Sequence, residues 1–302
     1  MIAIDLGSNT IRFLAFDENG RQLWESQFVV RTAEGLISQK VISSSALERI
    51  AQAIDTAKKA YDFSGETITA VATEAFRQAQ NSAEAIAYLR KRSQIDFRVI
   101  SSHDEATLTA KACVRSARKH GLIGALMMID IGGASSEAVL DDGAIKALIS
   151  LPIGIVTATE AKTKQADMEA YLRNALNALD PFMAQCAAFD RPNALIATAG
   201  TPTTLAAIKR GLDYARYDKQ TVNGTSLSVD EIRALYARLA SLNAGDLEIL
   251  VGRTRGDLVL TGALILQALM TKLGFDSCVV FDEGLREGVM YDMLEKISDA
   301  RV

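Results

Sequence analysis

The chain has few of the residues that build metal clusters and disulfide frameworks. Its 302 residues include only 3 cysteines and 2 histidines, and no two cysteines form a Cys-x-x-Cys pair, which argues against a structural zinc site. Cys113, Cys186 and Cys278 are far apart and lie in apolar surroundings. We therefore expect free thiols in a reducing, cytoplasmic compartment.

Long apolar runs, a signal peptide and an excess of positive charge are also missing. No run reaches the length of a membrane helix, and the chain opens on a strand-like segment without a basic leader, so we expect no membrane contact. The net charge of −4 argues against nucleic-acid binding, which needs a basic face. It leaves open a polyanionic substrate in a locally positive cleft.

Two short loops repeat the same pattern 125 positions apart. Residues 4–10 read IDLGSNT and residues 129–135 read IDIGGAS, each between two strand-like runs. Each pattern predicts a tight hairpin whose glycines permit positive φ and leave backbone N–H groups open to an anion. The repeat indicates a duplicated α/β unit with a phosphate-binding cleft between the halves.

The order of predicted elements supports two such halves. Strand-like and helical stretches alternate along both, which predicts mostly parallel sheets covered by helices. We place the domains at residues 1–120 and 121–302, with the option that the last helix packs back on the first domain. Helix starts are expected at Ser45, Asn81 and Ser228 from capping patterns.

Two further features lie between a predicted strand and a predicted helix. Ala199-Gly200-Thr201 forms a turn that suits an anion and equally suits a plain chain reversal. Arg77 lies in a loop, where its guanidinium either clamps a phosphate or belongs to an ordinary surface arginine.

Three carboxylates are candidates for chemistry. Asp130 and Glu137 span the second hairpin, and a hard cation such as Mg²⁺ would let both face a phosphate chain. The alternatives are a turn-capping Asp130 and an exposed Glu137. Glu105 opens a helix three residues after Ser102. This spacing favours a capping box over a role as general base.

Taken together, these segments resemble the exopolyphosphatase / guanosine pentaphosphate phosphohydrolase (Ppx/GppA) family. That family lies within the actin-like ATPase and sugar-kinase superfamily, so the resemblance implies two ribonuclease-H-like α/β domains with a cleft between them. The matching segments run in order over nearly the whole chain: residues 3–10, 72–77, 99–106, 129–137, 151–154, 198–201 and 282–288.

The resemblance implies hydrolysis of a phosphoanhydride bond assisted by Mg²⁺ or another divalent cation. By position, Glu105 matches the catalytic glutamate, and Asp130 and Glu137 match the acidic pair implicated in metal binding. The substrate-binding positions are Gly7, Ser8, Asn9, Thr10, Arg77, Gly132, Gly133, Ala134, Ser135, Gly200 and Thr201. Ala134 stands where the family carries a third glycine, and alanine costs roughly 1 kcal/mol if that position has positive φ.

Three functions remain open on the sequence. The leading hypothesis is an exopolyphosphatase that removes the terminal phosphate of inorganic polyphosphate. The alternatives are a phosphohydrolase acting on guanosine pentaphosphate, the alarmone of the stringent response, and a non-catalytic sensor that binds polyphosphate or alarmone. The resemblance also implies a homodimer, which nothing in the chain itself indicates.

Overall fold

A mixed β-sheet covered by helices forms the centre of each of two structural units. The computed structural model describes residues 1–161 and 165–300. The first unit comprises Met1–Ala112 and the chain from Leu285 onward, and the second comprises Cys113–Gly284. Strands and helices alternate within both units, as the sequence pattern predicts.

The first unit has a five-stranded sheet in the order β3-β2-β1-β4-β5. β1, β2 and β3 pair antiparallel, whereas β4 lies parallel to β1 and β5 parallel to β4. The strands are β1 (Ile2–Leu6), β2 (Thr10–Phe16), β3 (Gln22–Val29), β4 (Ile68–Ala72) and β5 (Phe97–Val99). The helices are α1 (Leu36–Gln39), α2 (Ser44–Ala60), α3 (Glu74–Gln78), α4 (Ser82–Ser93), the start of α5 (Ser102–Lys119) and α14 (Leu285–Ala300).

The second unit repeats this topology with one extra edge strand. Its sheet has the order β10-β11-β9-β6-β7-β8, in which an antiparallel meander is again followed by parallel neighbours. The strands are β6 (Leu126–Ile131), β7 (Ser136–Asp141), β8 (Ile145–Leu151), β9 (Ala194–Thr198), β10 (Thr225–Ser228) and β11 (Ser277–Val280).

The helices of the second unit surround a long apolar one. They are α6 (Ile155–Ala161), α7 (Gln165–Ala175), α8 (Asp180–Cys186), α9 (Gly200–Lys209), α10 (Lys219–Val222), α11 (Val229–Ala240), α12 (Ala244–Val251) and α13 (Gly256–Leu273), with a 3₁₀ turn at Leu176–Leu179. Among the described residues, α13 alone has the length and composition to cross a membrane. It packs against α6, α9 and α11 within the unit, as a core helix does.

The helices α2 and α4 begin within one residue of the predicted positions, but the side-chain capping differs from the prediction in two of three cases. Ser228 and Glu231 form the predicted capping box. The expectation for Ser45 is wrong, because Ser43 caps α2 by accepting from the Ala46 N–H. The side chain of Asn81 does not cap α4, because it bonds the N–H and the carbonyl of Ile42 instead.

The C-terminal helix α14 belongs to the first unit and covers its sheet. Val289, Met290 and Met293 are buried against apolar side chains of β1, β2 and β4. Gly288 lies directly on the backbone of α5, since a Cβ at this position would lie 2.1 Å from the Leu108 carbonyl oxygen. The absence of a side chain therefore sets how closely α14 approaches α5.

We predict that Gly288→Ala lowers the free energy of unfolding by about 1–3 kcal/mol, the usual cost of overpacking. Gly245→Ala is the matched control, because a Cβ there meets only the Asn243 Oδ1 at 3.4 Å and alanine favours helix. Urea denaturation measures both. Equal effects of the two substitutions would contradict the close contact.

Candidate functional site

The two repeated loops have the same backbone geometry. The Gly7 N–H donates to the Thr10 carbonyl at 2.9 Å, and the Gly132 N–H donates to the Ser135 carbonyl at 2.9 Å. Neither glycine uses the positive φ that it permits, since neither has left-handed backbone. Both are needed for close approach, because a Cβ would lie 3.3 Å from the Thr10 oxygen or 3.0 Å from the Ser135 oxygen.

The first loop leaves polar groups available for a ligand. Its carbonyls accept hydrogen bonds from the segment that follows β3. The Ser8 oxygen accepts from the Ala33 N–H, and the Asn9 oxygen accepts from the N–H groups of Val30 and Arg31. In the described chain, the N–H groups of Ser8 and Asn9 donate no hydrogen bond, and the buried Asn9 Oδ1 has no partner. Unsatisfied buried polar groups are rare, so this loop has the character of a binding loop.

The second loop is held from behind by the start of α6. The N–H groups of Ile155 and Val156 donate to the carbonyls of Gly132 and Gly133 at 3.0 and 2.7 Å. Gly154 makes this contact possible, because a Cβ there would lie 2.3 Å from the Ala134 nitrogen. Ala134 is not among the residues with positive φ, so the cost expected from replacing the third glycine does not arise.

The two hairpins differ in the residue that faces their aspartate. Asp5 lies opposite Arg12 across β1 and β2, whereas Asp130 lies opposite Glu137 across β6 and β7. Directly opposed residues have side chains on one face, with Cβ atoms about 5 Å apart. The first loop thus sits beside a carboxylate–guanidinium pair, and the second sits beside two carboxylates.

The acidic pair of the second hairpin belongs to a polar row across the sheet. Thr198, Asp130, Glu137 and Ser150 are neighbours on β9, β6, β7 and β8. Glu137 is buried and accepts from the Ser150 hydroxyl at 2.7 Å. This row orients the carboxylate of Glu137 before any ligand arrives.

Asp130 and Glu137 suit a magnesium ion that is coordinated by protein carboxylates and substrate oxygens together. No group of three or more His, Cys, Asp or Glu side chains able to hold a metal occurs in the described chain, so a cation held entirely by protein is not supported there. Mg²⁺ takes one or two carboxylates and completes its shell with substrate oxygens and water. Two opposed carboxylates supply that donor set.

Asp5 lies in a buried cluster of charges in the first unit. Burial raises the pKa of Asp5 to about 6, Arg12 and Arg286 oppose this rise, and Glu287 adds to it. Arg286 in turn bonds Glu287 at 2.7 Å and Glu25 at 2.8 Å. The start of α14 therefore contributes both a positive and a negative charge beside the strand that carries the first loop.

We predict that Asp5 makes stability depend on pH between about 4 and 6. The pKa of Asp5 is about 6 in the folded protein, whereas its ordinary value is 3.8. The contribution of this carboxyl group to the free energy of unfolding is therefore complete below pH 4 and is lost as pH rises through 6. Relative to Asp5→Asn, the wild type should lose up to about 3 kcal/mol of unfolding free energy over this window. Metal-free urea denaturation at pH 4 and 7 measures the difference, and a constant difference would contradict it.

Glu105 does not cap its helix. Ser101 performs that role: its hydroxyl accepts from the Asp104 N–H at 3.0 Å and donates to the Asp104 carboxylate at 2.8 Å. The predicted capping box of Ser102 and Glu105 is therefore wrong by one residue. The carboxylate of Glu105 instead lies 2.7 Å from Nη1 of Arg77.

We predict that Ser101→Ala lowers the free energy of unfolding by about 1 kcal/mol, the usual value for an N-cap hydroxyl. Ser102→Ala is the neighbouring control and should change it by less than about 0.5 kcal/mol. Thermal or urea denaturation of both variants tests which of the two serines caps α5. A larger loss in Ser102→Ala would restore the original capping box.

Arg77 lies on the short helix α3 and not in the expected loop. Its Nε donates to Glu74 at 2.7 Å, and its Nη1 donates to the Ile100 carbonyl at 2.9 Å. Burial opposes the charged guanidinium, but Glu105 and then Glu74 outweigh it, so the pKa of Arg77 lies above its ordinary value. Arg77 is therefore a permanent cation directly beside Glu105.

Strand order explains why the first loop, Arg77 and Glu105 share an edge of the sheet. They follow β1, β4 and β5, whose parallel pairing puts their carboxyl ends side by side. Two hydrogen bonds join these ends: Thr73 N–H to the Leu6 carbonyl at 3.2 Å, and Ile100 N–H to the Ala72 carbonyl at 3.0 Å. This edge is where open α/β sheets bind ligands.

The third predicted turn is strained at Ala199. Its φ of 76° and ψ of −177° fall in a region that is almost restricted to glycine. Arg255 lies over the turn, with Nη2 3.4 Å from the Gly200 carbonyl oxygen. The Thr201 hydroxyl packs against Gly262 of α13, and in the described chain this buried oxygen has no hydrogen-bond partner.

Several residues beside the first loop and Arg77 were absent from the predicted site. Glu74, Arg12 and Arg286 contact or face predicted residues through ion pairs and strand register. The i, i+3 spacing of Glu74 and Arg77 was a usable signal. No sequence spacing could place Arg286 near Asp5, because 281 positions separate them.

Comparison with known proteins identifies the family of this chain. A family model described as the Ppx/GppA phosphatase family matches residues 17–297. The chain belongs to this family. The match begins after the first loop.

Two curated Ppx/GppA relatives align with almost the whole chain. The guanosine-5'-triphosphate,3'-diphosphate pyrophosphatase of Vibrio cholerae is 29% identical over 308 residues, covering 98% of this chain and 59% of that protein. Exopolyphosphatase 1 of Mycobacterium tuberculosis is 26% identical over 309 residues, covering 98% of this chain and 88% of that protein. The chain thus spans about three-fifths of the first relative.

Solved structures confirm the α/β fold. The Aquifex aeolicus PPX-GPPA enzyme superposes with a TM-score of 0.74 at 26% identity, covering 96% of this chain and 98% of that one. An exopolyphosphatase of Cytophaga hutchinsonii superposes with a TM-score of 0.84 at 22% identity, covering 98% and 97%. The second likeness concerns the fold alone.

Proposed function

We propose that this protein is a hydrolase that removes the terminal phosphate of inorganic polyphosphate. The observation that carries the proposal is the contact between Glu105 and Arg77, 2.7 Å apart at the carboxyl edge of the first sheet. It pairs a carboxylate able to take a proton from water with a cation able to bind the phosphate under attack.

In this proposal Glu105 orients a water molecule in line with the terminal phosphorus and accepts its proton. The new P–O bond forms as the bridging P–O bond breaks, which releases orthophosphate and a chain shorter by one unit. Arg77 balances negative charge on the transferred group. Within the first unit, the N–H groups of Ser8 and Asn9 bind phosphate oxygens of the chain under attack.

Asp130 and Glu137 are the proposed metal ligands. Bound there, Mg²⁺ would supply the positive charge that neutralises neighbouring phosphate oxygens. The residues themselves are prepared for this role, because Ser150 fixes one oxygen of Glu137 and the strand register holds Asp130 opposite. Their proximity without a cation would be repulsive.

Polyphosphate is the proposed substrate because the groups described above suit phosphate oxygens, and Exopolyphosphatase 1 of Mycobacterium tuberculosis is a relative at 26% identity. The higher identity of 29% to the Vibrio cholerae pyrophosphatase keeps guanosine pentaphosphate as the competing substrate. Cys113, Cys186 and Cys278 are reduced thiols, which supports a reducing compartment such as the cytoplasm as its place of action.

We predict that Glu105→Gln lowers phosphate release from long-chain polyphosphate with Mg²⁺ by about 10²–10⁴-fold, the range for loss of a general base. Glu84→Gln, an exposed carboxylate on α4, is the control and should retain wild-type activity. Chelation of the metal should abolish release in all variants.

A parallel assay with guanosine pentaphosphate separates the substrates. Faster release from the nucleotide would replace polyphosphate as the proposed substrate while keeping the mechanism. No release from either substrate by the folded wild type would overturn the hydrolase, and binding without release would favour the sensor. Full activity in Glu105→Gln would overturn the role of Glu105.

A further inference from the structure

Glu74 holds the opposite side of the guanidinium that contacts Glu105. Its Oε2 accepts from Arg77 Nε at 2.7 Å and lies 2.5 Å from Nη2. Its other oxygen, Oε1, accepts from the side-chain amide of Gln78 at 2.7 Å. Both oxygens of Glu74 are thereby engaged on α3, so the carboxylate has a defined position.

Arg77 therefore bridges two carboxylates. Nε and Nη2 face Glu74, while Nη1 faces Glu105 and the Ile100 carbonyl. One positive charge is shared between two negative ones, which leaves the trio with a net charge of −1. The more firmly Arg77 is held by Glu74, the less of its charge stabilises ionised Glu105.

Burial makes this sharing effective. The side chains of Arg77, Glu74 and Glu105 are 17%, 16% and 13% exposed. Salt and water screen such groups much less than they screen surface pairs. A change of charge at one member is therefore felt by the other two.

Within the first unit, Arg77 of α3 contacts Glu105 directly. The same guanidinium also contacts Glu74 and the Ile100 carbonyl at the end of β5. On the helix that carries Glu105, the neighbouring Asp104 is bonded to Ser101, and His103 precedes it. The helix α14 meets α5 further along, with Gly288 at Leu108 and Glu295 at Lys111.

We propose that Glu74 is a positioning residue that divides the Arg77 guanidinium between two carboxylates and so keeps Glu105 available to accept a proton. The role of Glu105 as the base rests on the proposed function. The division of charge rests on the geometry alone and is measurable without catalysis.

Removing the negative charge of Glu74 and removing the positive charge of Arg77 should shift the pKa of Glu105 in opposite directions. Glu74→Gln removes a neighbouring negative charge and leaves Arg77 to Glu105, so the pKa of Glu105 should fall. Arg77→Gln removes the cation, so the pKa of Glu105 should rise. Nonspecific damage to the site would not reverse sign between the two variants.

The first measurement is a ¹³C NMR titration of protein labelled at the glutamate carboxyl carbon. Loss of one signal in Glu105→Gln identifies Glu105. We expect its pKa to fall by about 1 unit in Glu74→Gln and to rise by about 1–3 units in Arg77→Gln. Asp55→Asn, which breaks the exposed Asp55–Arg92 pair between α2 and α4, should leave it unchanged.

The second measurement is the pH dependence of kcat/KM for phosphate release. The acid limb should move to lower pH in Glu74→Gln, with a lower plateau because Glu105 is a weaker base. Glu74→Asp keeps a carboxylate that reaches Arg77 less well, and should shift the limb in the same direction by less. This variant also serves if Glu74→Gln does not fold.

The two measurements fail in different ways. An unchanged pKa of Glu105 in Glu74→Gln, or a rise in that pKa, overturns the positioning role whatever the protein catalyses. Shifts of opposite sign in a folded protein that hydrolyses neither polyphosphate nor guanosine pentaphosphate support the charge sharing and overturn the proposed function.

Discussion

The parallel pairing of β4 with β1 and of β5 with β4 is the constraint on which the first unit's site depends. Because parallel strands end at the same edge, the residues that follow them meet there although long stretches of sequence separate them. Thr73 and Ile100 extend this pairing by one hydrogen bond each, to Leu6 and Ala72. The helices that carry Arg77 and Glu105 therefore start from fixed points. Neither helix could be displaced without breaking a bond at the end of the sheet.

The two repeated loops have the same backbone geometry but differ in the charge of the residue that faces their aspartate. The bond from Gly7 to Thr10 repeats in Gly132 and Ser135, and the opposing residue lies seven positions after the aspartate in both hairpins. That residue is Arg12 in the first unit and Glu137 in the second. A guanidinium suits an anion directly, whereas two carboxylates suit one only through a cation. The same backbone scaffold thus carries opposite charge at the position that faces the aspartate.

The sequence was sufficient for the features that depend on local pattern. Apolar runs and glycine turns predicted the repeated hairpins, the strand–helix alternation and the α/β class, because these depend on periodicity. It was insufficient where side chains choose between equivalent partners. Ser101 and Ser102 both precede an acidic residue by three positions, and only the backbone path decides which serine caps α5. In the structure Ser101 caps α5, and the carboxylate of Glu105 contacts Arg77.

Several residues with positive φ lie beside the candidate loops, and this observation does not depend on any resemblance to other proteins. The described non-glycine residues with positive φ are Arg31, Lys40, Gln94, Ala199 and Thr254. Lys40 and Gln94 end helices, where left-handed residues are common. The other three adjoin candidate loops: Arg31 bonds the Asn9 carbonyl, Ala199 forms the third turn, and Thr254 precedes Arg255. Strain of about 1–3 kcal/mol per residue persists only where the surroundings enforce it. The positions of these three residues beside the candidate loops agree with the proposed binding role of those loops.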